Sequence, residues 1–120
     1  MRSDRGDVLL LQDILDAIEI VRQYLPPDRA AFDTDPKLQS HILRHVMIVG
    51  EAAHRLSKPL KDRNPHVPWR QIEGMRHVLV HDYFKVNWTR VYETARDEMT
   101  RLKAHVQTML AAIPHDDDLS

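Results

Sequence analysis

Apolar residues recur every three or four positions along four stretches of the chain, and prolines separate these stretches. Such spacing places apolar side chains on one face of an α-helix. The pattern predicts helices over about 7–25, 36–57, 68 to 81–83, and 87–112. No stretch of any length alternates as a β-strand would. The sequence therefore predicts an all-α, up-and-down bundle of four to five helices.

Residues typical of helix ends mark the boundaries. Pro26 begins a Pro-Pro pair that ends the first helix, because proline has no backbone N–H and restricts the residue before it. Asp35 is the expected N-cap of the second helix, where a proline follows at the first helical position, and Asn87 is the expected N-cap of the fourth. The segments 26–35 and 58–66 are expected to be loops.

The second predicted helix has two adjacent apolar strips, so we expect it to contact two neighbours. Inside a helix, Gly50 costs about 1 kcal/mol relative to alanine. Close packing of another backbone would explain a glycine at this position. Phe32 is expected to anchor the loop that precedes this helix, and Trp69 and Trp88 are expected in the core.

The length of 120 residues suits a single domain, 1–120, with an acidic tail that frays from about residue 114. The chain contains no cysteine, which excludes disulfides, thiolate catalysis and cysteine-ligated zinc. No apolar run approaches the roughly 20 residues of a membrane span, and the N-terminus does not resemble a signal peptide. We therefore expect a cytoplasmic protein with no membrane contact.

The formal net charge is −1, which argues against nucleic-acid binding through bulk positive charge. One local exception lies between residues 55 and 76, where six cationic side chains stand against two acidic ones. This stretch is either a basic patch or an ordinary solvated loop region. Charge alone does not distinguish these two interpretations.

The third predicted helix contains the residues best suited to chemistry, Arg76 and His81. Five residues separate them, which is roughly 140° around a helix, so they do not lie side by side. A two-fold axis beside this helix would bring two such pairs around one cleft. The alternative is structural: Arg76 pairs with Glu51 or Glu73, and His81 caps the helix C-terminus.

Four segments of the chain resemble the HepT-like group of HEPN-domain proteins: 49–52, 67–72, 74–76 and 81–84. The motif of that family is an arginine, four residues, a histidine, any residue and a tyrosine. It reads here as Arg76, His81 and Tyr83 without a gap, and His77 occupies the following position, which is usually polar in the family. The resemblance covers most of residues 8–110.

The resemblance implies a HEPN-like bundle that forms a homodimer, or a higher oligomer, with the motif helices facing one another. It also implies a toxin RNase of a two-gene toxin–antitoxin pair, with RNA as substrate and no cofactor. The usual partner in the family is a minimal nucleotidyltransferase antitoxin of the MntA type. That partner transfers AMP to the motif tyrosine, here Tyr83, and so silences the RNase.

The chemistry of RNA cleavage suits these residues. Histidine, with an unperturbed pKa of ~6.5, can act as general acid or base, which is the role we expect for His81. Arginine can bind a phosphate through two hydrogen bonds, which is the role we expect for Arg76. Tyr83 is expected to contact the phosphate and to accept AMP, unless it only packs as an aromatic residue. Glu51 and His77 are expected to support the site.

Other interpretations remain open at this stage. The pairs His41/His45 and His77/His81 have a spacing that suits metal ligands, but no carboxylate pattern accompanies them, so no metal is expected. A HEPN-fold scaffold that binds a nucleotidyltransferase and cleaves nothing is the main alternative function. A plain helical dimerisation module is a third.

Overall fold

The computed structural model describes residues 2–77 and 86–113, and all regular structure in these ranges is helical. The elements are α1 (Arg2–Tyr24), α2 (Arg29–Asp33), α3 (Pro36–Arg55), α4 (Lys58–Arg63), α5 (Trp69–Gly74), a 3₁₀ turn (Met75–His77), α6 (Trp88–Glu93), a π-helical segment (Thr94–Glu98) and α7 (Met99–Ala112). The predicted all-α bundle is confirmed. None of the described helices is long and apolar enough to cross a membrane.

Helices α1 and α3 run antiparallel, and contacts at both ends fix their alignment. At one end Asp7 is only 2% exposed, and its carboxylate accepts hydrogen bonds from the backbone N and the Oγ of Ser57, at 2.9 and 2.6 Å. A buried carboxylate is costly unless it is hydrogen-bonded in this way. At the other end the rings of Tyr24 and His41 pack edge to face with centroids 5.0 Å apart.

The core lies between α1, α3 and the last helices of the chain, α6 and α7. Its fully buried side chains come from the predicted apolar stripes: Leu11, Ile14, Ile18, Val21, Ile42, Val46, Val49, Met99 and Val106. Phe32 is also fully buried and packs on Tyr92 with ring centroids 5.2 Å apart, so its predicted anchoring role is confirmed. Trp69 and Trp88, expected in the core, are half-buried and pack against its edge.

The predicted loops were wrong in part, because each contains a short helix. In the segment 26–35, the side chain of Asp28 accepts a hydrogen bond from the N–H of Ala30 and caps α2. In the segment 58–66, Ser57 caps α4 while also binding Asp7. Both helices have six residues or fewer, which is too short for an apolar period to show in the sequence.

The other predicted boundaries also need adjustment. Helix α1 begins at Arg2, five residues earlier than expected, and the last predicted helix contains the π-helical segment. The N-caps at Asp35 and Asn87 are confirmed, since each side chain accepts a backbone N–H of the following turn. Residues 78–85, with the end of the third predicted helix, and the acidic tail 114–120 lie outside the described residues.

Gly50 lies where α3 touches the segment that carries Arg76. A Cβ on Gly50 would lie 2.5 Å from the backbone N of Arg76 and 3.1 Å from the carbonyl oxygen of Ile72. Both neighbours are backbone atoms, so neither can move without shifting the whole turn. The close backbone approach predicted for this glycine is therefore confirmed.

Replacing Gly50 with alanine should destabilise the protein, because the added methyl group would push the 3₁₀ turn away from α3. We expect the free energy of unfolding to fall by about 2 kcal/mol. Gly6→Ala is the matched control, since no described atom lies within 4 Å of its Cβ position, and it should gain roughly 0.5–1 kcal/mol. Equal stability of the two variants in urea unfolding would contradict the close contact.

Candidate functional site

Arg76 lies in the 3₁₀ turn directly against α3, and its side chain is partly exposed. Its Nη1 is 3.8 Å from a carboxylate oxygen of Glu51, which is close enough for charge attraction but too long for a hydrogen bond. Its Nε is buried and has no hydrogen-bond partner among the described residues. A buried N–H without a partner is costly and rare, whereas the exposed 29% of the side chain is accessible to an acceptor from outside the chain.

The second carboxylate close to Arg76 in the chain belongs to Glu73, and it contacts the side chains of His54 and Lys61. One oxygen of Glu73 accepts a hydrogen bond from Nδ1 of His54 at 3.0 Å and lies 3.2 Å from Nζ of Lys61. Lys61 also donates to the backbone carbonyl oxygen of His54 at 3.2 Å. The cluster of His54, Lys61 and Glu73 therefore connects α3, α4 and α5.

The surroundings of Glu73 favour its charged form. Burial raises the pKa of the Glu73 carboxyl, but the hydrogen bonds and positive charges of His54 and Lys61 outweigh burial, so its pKa is lowered from the ordinary value of 4.5. Near neutral pH this side chain is a carboxylate. It therefore attracts cations and accepts their hydrogen bonds.

Comparison with known proteins identifies the family. A model described as "Ribonuclease HepT-like" matches residues 14–109, which is most of the chain. The chain belongs to the HepT-like ribonuclease family. The enzyme class expected from the sequence, a ribonuclease, is thereby confirmed at the level of the family, as is the resemblance itself.

Individual HepT-like relatives cover much of the chain. "Putative RNase TTE0752" of Caldanaerobacter subterraneus subsp. tengcongensis is 38% identical over 66% of this chain and 70% of its own length. "Putative RNase MJ1216" of Methanocaldococcus jannaschii is 27% identical over 92% of both chains. "Probable ribonuclease HepT" of Thermococcus cleftensis is 29% identical over 82% of this chain and 91% of its own. No solved structure matches the chain.

The structure brings together some of the residues that the sequence singles out. Arg76 and Glu51 are neighbours, as one interpretation expected, while Glu73, the other expected partner of Arg76, binds elsewhere. His77 is half-buried in the same turn as Arg76. The other two members of the HepT-like motif, His81 and Tyr83, lie outside the described residues.

The remaining histidines form no obvious metal centre. The rings of His41 and His45 pack at 4.6 Å, and Nδ1 of His45 donates to the carbonyl oxygen of His41, so that nitrogen is already engaged. Within residues 2–77 and 86–113, no three side chains of His, Asp or Glu converge as metal ligands. The pairing of His77 with His81 lies partly outside the described residues.

A separate small cleft of about 130 Å³ lies between α5 and the first half of α7, next to the end of the π-helical segment. Its polar lining consists of Gln71, Glu98, Arg101 and His105. The amide of Gln71 already donates to the Glu98 carboxylate at 2.8 Å. Arg76 does not line this cleft, so the motif arginine and the cleft are distinct features of the surface.

Sequence reasoning missed the contributions of Lys61 and His54. They lie 12 and 19 residues from Glu73 in the chain, and no local pattern indicates that they meet it. The sequence showed only a cluster of charges between residues 55 and 76. That cluster does not indicate which side chains pair with Glu73 or at what distance. Within this stretch Lys58 also pairs with Asp62, at 2.8 Å, so part of its positive charge is neutralised.

Proposed function

We propose that this HepT-like protein is a metal-independent endoribonuclease and the toxin of a two-gene toxin–antitoxin pair in the cytoplasm. The observation that carries the proposal is the arginine of an intact family motif, Arg76, whose side chain is 29% exposed and whose Nε–H has no partner among the described residues. A phosphate oxygen is the acceptor that such a guanidinium suits best. Membership of the ribonuclease family supports RNA as the source of that phosphate.

In the proposed reaction the ribose 2′-oxygen attacks the adjacent phosphorus and the bond from phosphorus to the 5′-oxygen breaks. His81 takes the proton from the 2′-hydroxyl, and an imidazolium gives a proton to the leaving 5′-oxygen. Arg76 binds the phosphate and stabilises the negative charge that develops on its oxygens. The attraction of Glu51 at 3.8 Å orients the guanidinium without occupying its N–H donors.

The proposed active form is a homodimer in which the motif helices of two copies face one another. His81 from each copy can then serve one of the two proton transfers. The exposed face of α3 supports an interface near Arg76, because Ile48, one turn before Glu51, is a large apolar side chain exposed to 37%. Exposed apolar residues beside a functional side chain are typical of a surface that a partner covers.

The proposed partner is an MntA-like nucleotidyltransferase antitoxin that transfers AMP to the hydroxyl of Tyr83. This tyrosine follows Arg76 by seven residues, which is close to two helical turns if the helix continues. A phosphodiester-linked AMP would add bulk and negative charge near the phosphate-binding arginine. Substrate binding would then be blocked by both volume and charge.

A non-catalytic scaffold that binds the same partner is the alternative. It is favoured by the net charge of −1 and by the pairing of Lys58 and Lys61 with carboxylates, which reduces the basic character of the stretch 55–76. The scaffold would bind the nucleotidyltransferase but would leave RNA intact.

Arg76→Ala should lower the RNA-cleavage rate about 10²- to 10³-fold, as expected for the loss of one donor to a developing negative charge. His81→Ala should lower it by a similar or larger factor, about 10²- to 10⁴-fold. The measurement is single-turnover cleavage of total RNA by purified protein, with growth arrest on induction as a second readout. Arg90→Ala, on an exposed position of α6, is the control. Wild-type rates in both motif variants would favour the scaffold.

Co-expression with the cognate nucleotidyltransferase should add the mass of one AMP moiety to the protein, and peptide mapping should locate it on Tyr83. Tyr83→Phe should prevent the adduct because it lacks the acceptor oxygen. An adduct found only on another residue would contradict this assignment.

Ile48→Lys should shift the protein from dimer to monomer in sedimentation equilibrium, because a buried unpaired ammonium is costly at an interface. Cleavage activity should fall with the dimer fraction. Leu9→Lys is the control, since Leu9 is 60% exposed and lies on α1 rather than on the face of α3 that carries Ile48 and Glu51. A dimer of unchanged affinity would exclude this face of α3 from the interface.

A further inference from the structure

The position of Glu73 raises a problem for the proposed role of Arg76. Glu73 precedes Arg76 by three residues across the end of α5 and the 3₁₀ turn, a spacing that places two side chains on the same side of a helix. A free carboxylate there is the natural partner of the arginine, through strong charge-assisted hydrogen bonds. Such an ion pair would occupy the donors that the RNA phosphate requires.

The described residues show no such ion pair, and the Glu73 carboxylate binds two other groups instead. The Glu73 carboxylate lies within 3.2 Å of two nitrogens, His54 Nδ1 and Lys61 Nζ. Lys61 is well placed for this task because its side chain is only 17% exposed and its ammonium is also fixed on the carbonyl oxygen of His54. Among the described residues, the carboxylate nearest to the Arg76 guanidinium is that of Glu51, at 3.8 Å.

We propose that Lys61, assisted by His54, holds the Glu73 carboxylate away from Arg76 and so keeps the guanidinium available to the RNA phosphate. Lys61 is then a positioning residue that acts through Glu73 and does not itself touch the substrate. The inference rests on the proposed function, in which Arg76 binds the phosphate that is cleaved. It assigns a specific task to a cation that lies in another helix and 15 residues away in the chain.

The inference predicts that a variant without Lys61 binds RNA more weakly because the Glu73 carboxylate is released. In Lys61→Met, Glu73 is released and competes with RNA for Arg76. The KM for RNA should rise about tenfold, the effect of one charge-assisted hydrogen bond that the substrate must displace. The affinity for a non-cleavable 2′-deoxy oligonucleotide, measured by fluorescence anisotropy, should fall by the same factor. The kcat should change little, because saturating RNA displaces the carboxylate.

The decisive variant is the double substitution Lys61→Met with Glu73→Gln. A neutral amide cannot compete with phosphate as a charged carboxylate does, so the double variant should recover a KM close to that of the wild type. Glu73→Gln alone should have a wild-type or lower KM, although it also breaks the cluster. Lys61→Arg should retain the wild-type KM because it keeps the positive charge.

The controls separate positioning from simple stabilisation. Lys58→Met removes a lysine from the same helix, α4, whose ion pair with Asp62 is exposed, and its KM should equal that of the wild type. Thermal unfolding should show similar small losses of stability for Lys61→Met and Glu73→Gln, since both break the contact between Lys61 and Glu73. A purely structural role would therefore impair cleavage in both single variants, and the double variant would show no recovery.

Two outcomes overturn the inference, and they differ from the failure of the proposed function. A double variant as impaired as Lys61→Met, or a Glu73→Gln variant with a raised KM, would show that Glu73 is not a competitor. If Lys61→Met does not fold, a raised KM in Glu73→Gln suffices to reject the inference. RNA cleavage by Arg76→Ala at the wild-type rate would instead contradict the proposed function. The inference would then be rejected too, because it depends on phosphate binding by Arg76.

Discussion

The contact between the α3 backbone at Gly50 and the turn that carries Arg76 is the constraint on which the candidate site depends. No side chain separates the two segments, and the backbone N of Arg76 lies 2.5 Å from the position that a Cβ of residue 50 would take. Backbone packing of this kind fixes the origin of the Arg76 side chain more firmly than a contact between flexible side chains could. The cost of a glycine inside a helix, about 1 kcal/mol, is offset by this placement.

Once the backbone is fixed, electrostatics decides what the Arg76 guanidinium can bind. Two carboxylates are close enough in the chain or in space to compete for it, and neither forms a hydrogen bond with it. Glu51 stays at 3.8 Å, and Glu73 is bound by His54 and Lys61. A partly buried cation whose Nε–H has no partner in the described part of the chain is unfavourable for folding alone, and such exceptions concentrate at functional sites.

The sequence predicts the features that depend on local patterns. The apolar stripes, the N-caps at Asp35 and Asn87, and the close approach at Gly50 all follow from spacing or from the conformational preferences of single residues. Membership of the HepT-like family was likewise visible in one continuous motif. Each of these features is indicated by residues that are close together in the sequence.

The features that the sequence did not reveal depend on pairs that are distant in the chain. The bond between Asp7 and Ser57 spans 50 residues, and the contact between His54 and Glu73 spans 19. Because many acidic and basic side chains are available, composition does not identify which ones meet. Nor does an apolar period indicate α2 and α4, which are short. Each is fixed by a capping side chain and by one buried apolar residue, Phe32 in α2 and Leu60 in α4.

The near-neutral net charge of the chain gives the proposed silencing a physical basis. With a net charge of −1 and with Lys58 and Lys61 engaged by carboxylates, the protein has little bulk attraction for the RNA backbone. In the proposed function, RNA binding then depends on a few contacts, of which the one at Arg76 is central. If so few phosphate contacts sustain binding, one added negative charge close to Arg76 removes a large share of the affinity. On this proposal a single AMP is sufficient to silence the nuclease, whereas a strongly basic RNA-binding surface would tolerate it.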